Sequence, residues 1–476
     1  MSAPLILGTN SIKDVGYNVD NSLRFNDGSS DYLNRTPSSA GNTKTFTFST
    51  WSKRSDIGTG ADQHLLSAEY GSNINTYIYW STNNNLVIYA VNSVGDIEFL
   101  LQTTQVFRDV SAWYHIVVAV DTTQSTDSNR VKVYINGTQV TNFTQVSTFS
   151  FYPTQNFDTA INQNTNHEIG RRPAGTTKFY DGYLCETVLI DGSQLDPNSF
   201  GEFDEDSSIW KPKDVSGLTF GSNGFYLNFS DSSSLGADVS GNNNDFTVNN
   251  LTSIDQTTDT CTNNYATLNP LDNYYYNSTF SDGNLKQTCN SANYSYNTST
   301  FGVSQGKWYV EIKNSSSGTI RNEIGIIDRV STGSTTQIYG GVNGYGWFTN
   351  GNVNNNSSII ATYSTWTAGD IMGIALDLDN NKVYFAKNGT WQNSADPSAG
   401  TNGISITDPA STLNGVYFIA TGDYGGSDNS VNELNFGNPT FTISSGNSDG
   451  NGYGNFEYSV PSGYYALNTK NLAEYG

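Results

Sequence analysis

Closely spaced carboxylates are the first residues in this sequence that could do chemistry. Glu202, Asp204 and Asp206 alternate in the segment EFDEDSS, and alternation along a strand places side chains on one face. Two carboxyl groups about 5 Å apart hydrolyse glycosidic bonds with retention, one attacking and one protonating the leaving group. However, the segment lacks alternating apolar partners and lies between Pro197 and Pro212. We therefore interpret it as a solvated acidic turn.

Neither histidine nor cysteine chemistry is indicated. No G-x-S-x-G elbow accompanies the three histidines, and His115 alternates with Trp113 along an apolar run, which predicts a structural side chain inside the sheets. Cys185, Cys261 and Cys289 are an odd number, lie far apart and form no C-x-x-C pair, which predicts neither a zinc site nor a disulfide scaffold. With no catalytic set of residues, we predict that the protein is not an enzyme.

Calcium is the one metal for which the sequence offers a donor set, and we otherwise expect no cofactor. Hard cations bind several oxygen ligands on flexible turns. A dense group of carboxylate and amide oxygens surrounds Gly241 in the segment SDSSSLGADVSGNNND. The candidate ligands are Asp231, Asp238, Asn242, Asn244 and Asp245. The alternative, which the sequence leaves open, is a turn held only by hydrogen bonds from these side chains.

Loop-borne aromatic residues predict a carbohydrate or protein contact surface. Tyrosine and tryptophan supply a large contact area at low entropy cost, and here they stand among asparagine and glycine. The candidates are Tyr274, Tyr275, Tyr276, Tyr345, Trp347 and Tyr424. The alternative for Trp347 is a place in the core. The three consecutive tyrosines cannot all be buried in one strand, so part of that run should face solvent or a partner chain.

The composition narrows the classes of function. The chain has 476 residues, with 22 Lys and Arg against 44 Asp and Glu, for a net charge of −22, and charged residues make up only 14%. So few scattered cations cannot form a basic stripe, which excludes nucleic-acid binding. No run of about 18 apolar residues predicts a membrane span. The first residues also lack the features of an export signal, so we expect synthesis in a cytoplasm and function outside after lysis.

The elements that must position these residues are strands. Short runs of valine, isoleucine, tyrosine, phenylalanine and threonine are bounded by asparagine, glycine, aspartate and serine throughout the chain. Asn136-Gly137 and Asn388-Gly389 are dipeptides typical of tight hairpin turns. We predict an all-β protein of two antiparallel β-sandwiches.

Composition shifts divide the chain into five predicted parts. We place an N-terminal arm at 1–20, a first sandwich at 21–201, a connector at 202–261, a second sandwich at 262–440 and a C-terminal tail at 441–476. The arm contains Leu5, Ile6 and Leu7, which are too apolar to remain in solvent. We predict that these three residues anchor the protein to a larger particle.

The first sandwich resembles laminin-G and concanavalin A-like jelly rolls. The similarity follows the order W-x-H, alternating strand, Asp, strand, N-G hairpin, I-G and D-G strand. It is carried by residues 22–26, 32–33, 46–51, 113–118, 121, 133–137, 169–171 and 179–184. The resemblance implies a concanavalin A-like jelly roll over these residues.

The second sandwich resembles SPRY/B30.2 domains. Its most specific signal is GDIMGIALDLD at 369–379, followed by the K-N-G hairpin at 387–389. Further matching pieces lie at 280–285, 306–311, 345–347, 416–420 and 435–437. In SPRY domains, the matching strand and hairpin form the sandwich core.

The order of these modules resembles structural proteins of marine tailed phages. That resemblance implies a virion surface protein, a fibre, knob or adhesin, that binds host or environmental glycans or other virion proteins without catalysis. It also implies a homo-oligomer made in the host cytoplasm. Two alternatives remain: a capsid decoration or connector subunit with a purely architectural role, and a polysaccharide depolymerase.

Overall fold

Two compact units make up the chain, and each is described by itself. The computed structural model describes residues 16–57, 60–71, 73–146, 149–173, 178–272, 274–275, 277–289, 294–317, 321–328, 338–423, 425 and 430–476, with the backbone alone at 274, 275 and 339. Within these residues the chain divides between Thr262 and Asn263. Apart from one seven-residue helix and short 3-10 turns, the regular elements of this part are strands, mostly antiparallel, so the all-β prediction is confirmed.

The first unit is a sandwich of an eight-stranded and a seven-stranded sheet. The larger sheet has the order β10-β9-β8-β3-β12-β1-β17, with β15 also on β12, and the smaller has the order β16-β2-β11-β4-β5-β6-β7; β13 and β14 form a separate hairpin. The strands are β1 (Ser22–Phe25), β2 (Tyr32–Arg35), β3 (Thr45–Arg54), β4 (Gln63–Tyr70), β5 (Ile74–Trp80), β6 (Leu86–Val91), β7 (Ile97–Gln102), β8 (Trp113–Asp121), β9 (Val131–Ile135), β10 (Thr138–Val140), β11 (His167–Ile169), β12 (Gly182–Asp191), β13 (Gly201–Phe203), β14 (Trp210–Pro212), β15 (Phe225–Leu227), β16 (Thr247–Asn249) and β17 (Gln256–Thr257).

Alternation along the strands builds the core of this unit. Phe46 and Phe48 on β3 and Ile78 and Trp80 on β5 are buried and belong to one apolar cluster between the sheets. The residues between them on β5 point to the outer face of the smaller sheet, because neighbours along a strand alternate in direction. The predicted Asn136-Gly137 turn joins β9 to β10, with φ of 46° and 77° at its two residues.

The segment 202–261, predicted as a connector, is part of the first sandwich. β15 pairs with β12, β16 pairs with β2, and β17 pairs with β1. Leu227 lies in the core with less than 1% of its surface exposed. Each of these strands has three residues or fewer. Because they pair with strands of the first sandwich, the predicted end of that sandwich at residue 201 is wrong.

The second unit is also a sandwich of two sheets. One has the order β18-β21-β31-β23-β24-β25-β26 and the other β19-β20-β32-β22-β27-β28-β29, with β30 on β28 and β33 on β22. The elements are β18 (Tyr274–Tyr275), β19 (Thr279–Ser281), β20 (Lys286–Thr288), β21 (Ser295–Val303), β22 (Lys307–Asn314), β23 (Asn322–Ile327), β24 (Tyr345–Phe348), β25 (Asn352–Asn355), β26 (Ser358–Thr362), β27 (Ile371–Asp377), β28 (Lys382–Lys387), β29 (Thr390–Trp391), β30 (Ile404–Ser405), β31 (Tyr417–Asp423), β32 (Val431–Asn435), β33 (Tyr465–Ala466) and α1 (Thr469–Tyr475).

The predicted C-terminal tail, 441–476, is an integral part of this second unit. β33 pairs in parallel with β22. Helix α1 follows, with the Asn468 side chain accepting a hydrogen bond from Asn471 N as the N-cap. Leu467 and Leu472 are buried in the core of the unit. The tail therefore completes the fold and is not an appendage.

The predicted N-terminal arm lies mostly outside the described residues. Leu5, Ile6 and Leu7 belong to that part, so their predicted anchoring role stays a prediction. Of the described remainder, Val19 is buried and packs with Trp51. Within the described residues, no helix is long and apolar enough to cross a membrane.

Candidate functional site

Two of the predicted contact residues are core residues of the second unit, which corrects the prediction. Trp347 on β24 is fully buried and packs against Trp366 and Phe385, with ring centroids 6.0 and 5.7 Å apart. Tyr345 is 6% exposed, and its hydroxyl accepts a hydrogen bond from Thr407 N. Because β24 lies inside a sheet whose inner face is covered, neither ring is available to a ligand.

The other predicted contact residues remain predictions. Tyr274 and Tyr275 form the short strand β18, which pairs with β21. Their side chains lie outside the described residues, as do Tyr276 and Tyr424.

The predicted calcium ligands form a hydrogen-bonded turn, which is the alternative that the sequence left open. Both oxygens of Asp238 accept two hydrogen bonds each, from Tyr226 N, Ser240 N and Oγ, and Asn244 N. Asp245 accepts from Asp238 N, and Asp231 belongs to a separate turn with Ser233.

The amides of this cluster are engaged in the same way. Asn242 Nδ2 and Asn244 Nδ2 donate to backbone carbonyls at 221–224. Asn244 Oδ1 accepts from Arg35 Nη2. The side chains thus tie the turn together and do not converge on a cation, and within the described chain no group of three His, Cys, Asp or Glu could hold a metal ion.

The acidic segment at 202–206 lies on and beside the hairpin of β13 and β14. Lys211 Nζ lies 3.3 Å from Asp204 and 3.7 Å from Glu202. Hydrogen bonds from Ser207, followed by those of Lys211, lower the pKa of Asp204 to about 2. Glu202 is exposed, and this arrangement is that of a solvated turn.

His115 is a buried structural residue, as predicted. Trp210 Nε1 donates to His115 Nδ1 at 2.9 Å, so Nε2 carries the proton and donates to Ser49 Oγ, also at 2.9 Å. Burial lowers the pKa of His115 to about 3. The imidazole is therefore neutral at physiological pH and serves to hold Trp210.

The outer face of the seven-stranded sheet of the first unit carries a site that the sequence did not identify. A depression of about 250 Å³ is lined by Asp62, His64, Asn75, Tyr77, Tyr79, Tyr89, Arg172 and Lys178. We call this site the tyrosine groove. Tyr79 and Tyr89 are half-buried at its surface, whereas Tyr77 and His64 are buried beneath them.

Three neighbouring antiparallel strands position the aromatic residues of the groove. Tyr77 on β5 is directly opposite Tyr89 on β6, and Tyr79 on β5 is directly opposite His64 on β4. Tyr77 and Tyr89 stack with centroids 5.6 Å apart and ring planes 3° apart. His64 and Tyr79 stack at 4.8 Å and 11°. The register of the sheet thus produces two stacked pairs side by side.

Two cations from outside these three central strands complete the groove. Arg172 lies over the Tyr77 ring, 5.0 Å from its centroid, and its Nε donates to Glu69 Oε1 at 3.3 Å. Lys178 Nζ donates to Asp62 Oδ2 at 2.6 Å. Each cation therefore has a carboxylate partner, and the charges of the groove balance.

The titratable groups of the groove are neutral where they are buried. Burial, aided by Lys178 and Arg172, holds the pKa of His64 well below its usual value. Burial also raises the pKa of Tyr77, with Glu69 acting in the same direction, and the pKa of Tyr79. The groove thus combines tyrosine hydroxyls, an amide and two compensated ion pairs, which can donate and accept hydrogen bonds without a net charge.

One signal for this site was present in the sequence. Tyr77, Ile78, Tyr79 and Trp80 put aromatic rings on both faces of one strand, whereas a strand with one solvated face usually alternates with polar residues. Nothing comparable marks Arg172 and Lys178. They come from a segment almost a hundred residues later, and only the fold brings them to β5.

The sequence comparison finds a family match within the first unit. Residues 27–194 match the model of the concanavalin A-like lectin/glucanases superfamily. The prediction of a concanavalin A-like domain is thereby confirmed. Strands β13 to β17 lie beyond the matched residues, although β15, β16 and β17 belong to the same sheets. No curated protein matches the chain in sequence.

Solved structures similar to parts of this chain include a SPRY domain and a protein described as carbohydrate-binding. The SPRY domain of human HERC1 is 15% identical, with a TM-score of 0.29, over 35% of this chain and 96% of that one. A protein of Bacteroides ovatus described as carbohydrate-binding is 14% identical, with a TM-score of 0.33, over 49% of this chain and 59% of that one. A SAP-like pentraxin of Limulus polyphemus is 13% identical, with a TM-score of 0.25, over 38% of this chain and 80% of that one.

Proposed function

We propose that the first unit binds carbohydrate in the tyrosine groove without hydrolysing it. The groove is the observation that carries this proposal. Sugar hydroxyls donate and accept hydrogen bonds, and the groove offers both kinds of partner: tyrosine hydroxyls, Asn75, and the paired ions Arg172–Glu69 and Lys178–Asp62. Half-buried Tyr79 and Tyr89 add rigid contact area. The match to a superfamily that includes lectins supports the same conclusion.

The engagement of the carboxylates supports binding without catalysis. A glycosidase needs one carboxyl group that is protonated and another that is available as nucleophile or base. Asp62 is held by Lys178, and Glu69 is held by Arg172 and by the Tyr77 hydroxyl at 2.6 Å. Both carboxylates are thus engaged by a cation, and neither is free to act as nucleophile or base.

The setting that we propose is the surface of a virion. This rests on the resemblance of the module order to phage structural proteins, and it makes host surface glycans and other virion proteins the partners. We propose a homo-oligomer, since displayed copies would bind a repetitive surface with avidity. An antibody against the first unit should label purified virus particles. Absence of the protein from those particles would contradict this setting.

A glycan array tests the binding proposal and its site together. The full chain should bind at least one glycan, and Tyr89→Ala should lower the affinity at least tenfold because it removes a ring and a hydroxyl at the surface of the groove. Tyr70→Ala is the matched control: Tyr70 is 41% exposed on strand β4 of the same sheet and lies outside the groove. An array with no bound glycan would contradict the proposal. Release of new reducing ends from a bound polysaccharide would instead favour the depolymerase alternative.

A further inference from the structure

Two of the three cysteines in the chain meet in the first unit. Cys185 on β12 and Cys261, just after β17, are 76 residues apart in sequence, yet their Sγ atoms are 3.6 Å apart. Both are free thiols; Cys185 is buried and Cys261 is half-buried. A disulfide bond is about 2.05 Å long, so an approach of about 1.5 Å would join the two atoms.

The segment that carries Cys261 is held on both sides of it. We call residues 256–262 the strap. Before Cys261, Asp259 forms an ion pair with Lys53 at 2.8 Å, and both side chains are at most 1% exposed. After it, Thr262 Oγ1 accepts a hydrogen bond from Val19 N and donates one to Val19 O, each at 3.1 Å. These contacts fix the strap against the sheet and keep the two sulfur atoms within reach of each other.

The surroundings of the pair favour a slow and selective reaction. Cys185 packs with Trp51, Trp210 and Val19 in an apolar cluster. Burial raises the pKa of the Cys261 thiol, with Cys185 acting in the same direction, and only the thiolate attacks a disulfide. Of the two residues, Cys261 is the less buried, so we assign the first exchange to it.

We propose that Cys185 and Cys261 form a latent disulfide that locks the strap onto the sheet when the protein leaves a reducing compartment. The oxidant is a small-molecule disulfide. The Cys261 thiolate attacks one of its sulfur atoms and releases one thiol; the Cys185 thiolate then attacks Cys261 Sγ and releases the second. The protein loses two protons and two electrons, and both are recovered in the two released thiols.

The expected consequence is a more stable first unit. A cross-link that closes a loop of 76 residues restricts the unfolded chain far more than the folded one, in which the two sulfur atoms are already neighbours. Because β17 contributes only two residue pairs to the sheet, the covalent bond would stabilise the part of the first unit in which backbone pairing is shortest.

The experiment compares the full chain after equilibration with reduced or oxidised glutathione. Oxidation should lower the intact mass by 2 Da and yield a cross-linked peptide that contains Cys185 and Cys261. It should also raise the melting temperature of the first unit by about 5 °C or more. Cys289→Ala is the matched control, since Cys289 lies in the second unit, and it should show the same shift.

Three outcomes would overturn the proposal. Cys185 and Cys261 could remain open to alkylation after native oxidation. A glutathione adduct could persist on Cys261. The disulfide could form without raising the melting temperature, which would refute the proposed stabilisation of the first unit. Cys185→Ser and Cys261→Ser should each abolish the shift; if either fails to fold, the peptide mapping of the wild type still decides.

Discussion

Glu186 is a buried titratable residue of the first unit with a left-handed backbone conformation. It has a φ of 49°, at a shift in the register of β12 between Cys185 and Val188. The residue is 5% exposed. The Tyr226 hydroxyl lies 2.8 and 2.9 Å from the two carboxyl oxygens, and the Tyr17 hydroxyl donates to one of them at 3.3 Å. Burial is the main cause that raises the pKa of Glu186 from 4.5 to about 7. The hydrogen bonds oppose this shift, and Asp214 and Asp20 add to it.

The raised pKa predicts that the first unit loses stability as the pH rises. A group whose pKa is higher in the folded state stabilises the fold while it is protonated, so the contribution is complete below pH 4.5 and disappears as the pH passes about 7. Glu186→Gln keeps the acceptor oxygen but carries no charge. At pH 8 this variant should be more stable than the wild type by up to about 3 kcal/mol.

Urea unfolding between pH 4.5 and 8 measures this effect. Glu205→Gln is the control, because Glu205 is exposed in the acidic turn, and it should follow the wild type. Equal stability of Glu186→Gln and wild type at pH 8 would show that the charge on the buried carboxyl group does not destabilise the first unit.

At the scale of residues, only part of the tyrosine groove is predictable from the sequence. The outward direction of Tyr77 and Tyr79 follows from strand alternation. The stacking of His64 on Tyr79 depends on the register between β4 and β5, which includes a shift between His64 and Leu66. The contribution of Arg172 depends on long-range folding. Trp347 was ambiguous because a tryptophan near an asparagine-glycine turn has the same sequence pattern whether it faces the core or the solvent.

At the scale of elements, long alternating strands were predictable and short ones were not. Thr45–Arg54 and Ile371–Asp377 are ten and seven residues long, which is enough for a strand pattern to show in the sequence. By contrast, Phe225–Leu227 and Tyr465–Ala466 are too short to show a period, and their pairing partners are distant in sequence. This is why the sequence did not show that the predicted connector and the predicted tail are both parts of the sandwiches.

Helix α1 is expected to carry much of the stability of the C-terminal segment. Leu472 is 2% exposed and packs into the core of the second unit. Leu472→Ala leaves a cavity and should lower the free energy of unfolding by about 2–4 kcal/mol. Glu474→Ala, at an exposed position of the same helix, should change it by about 0.5 kcal/mol or less.

Urea unfolding can assign this effect to its unit. Leu472→Ala and Glu186→Gln lie in different units, so they should shift different parts of the unfolding curve. If Leu472→Ala were as stable as Glu474→Ala, the helix would not be part of the core.

At the scale of the whole molecule, the net charge of −22 favours neutral over anionic ligands at the proposed carbohydrate site. The field of an acidic protein repels anions. The cations of the groove are each compensated by a carboxylate. We therefore expect neutral glycans to bind better than glycans rich in uronate or sulfate.

Salt dependence distinguishes these two kinds of ligand. Binding through hydroxyl hydrogen bonds should change less than about twofold between 0.05 and 0.5 M salt, because no net charge is neutralised. Affinity that falls steeply with salt, together with a preference for acidic glycans, would contradict this expectation.

Isothermal titration calorimetry tests the central claim most directly, with the neutral oligosaccharide that binds most strongly on the array. Wild type and Tyr70→Ala should bind equally, with one site per chain. Arg172→Gln, which removes the cation over Tyr77 and its bond to Glu69, should weaken binding at least tenfold. Unchanged affinity in both Arg172→Gln and Tyr89→Ala would place the carbohydrate outside the tyrosine groove and contradict the account.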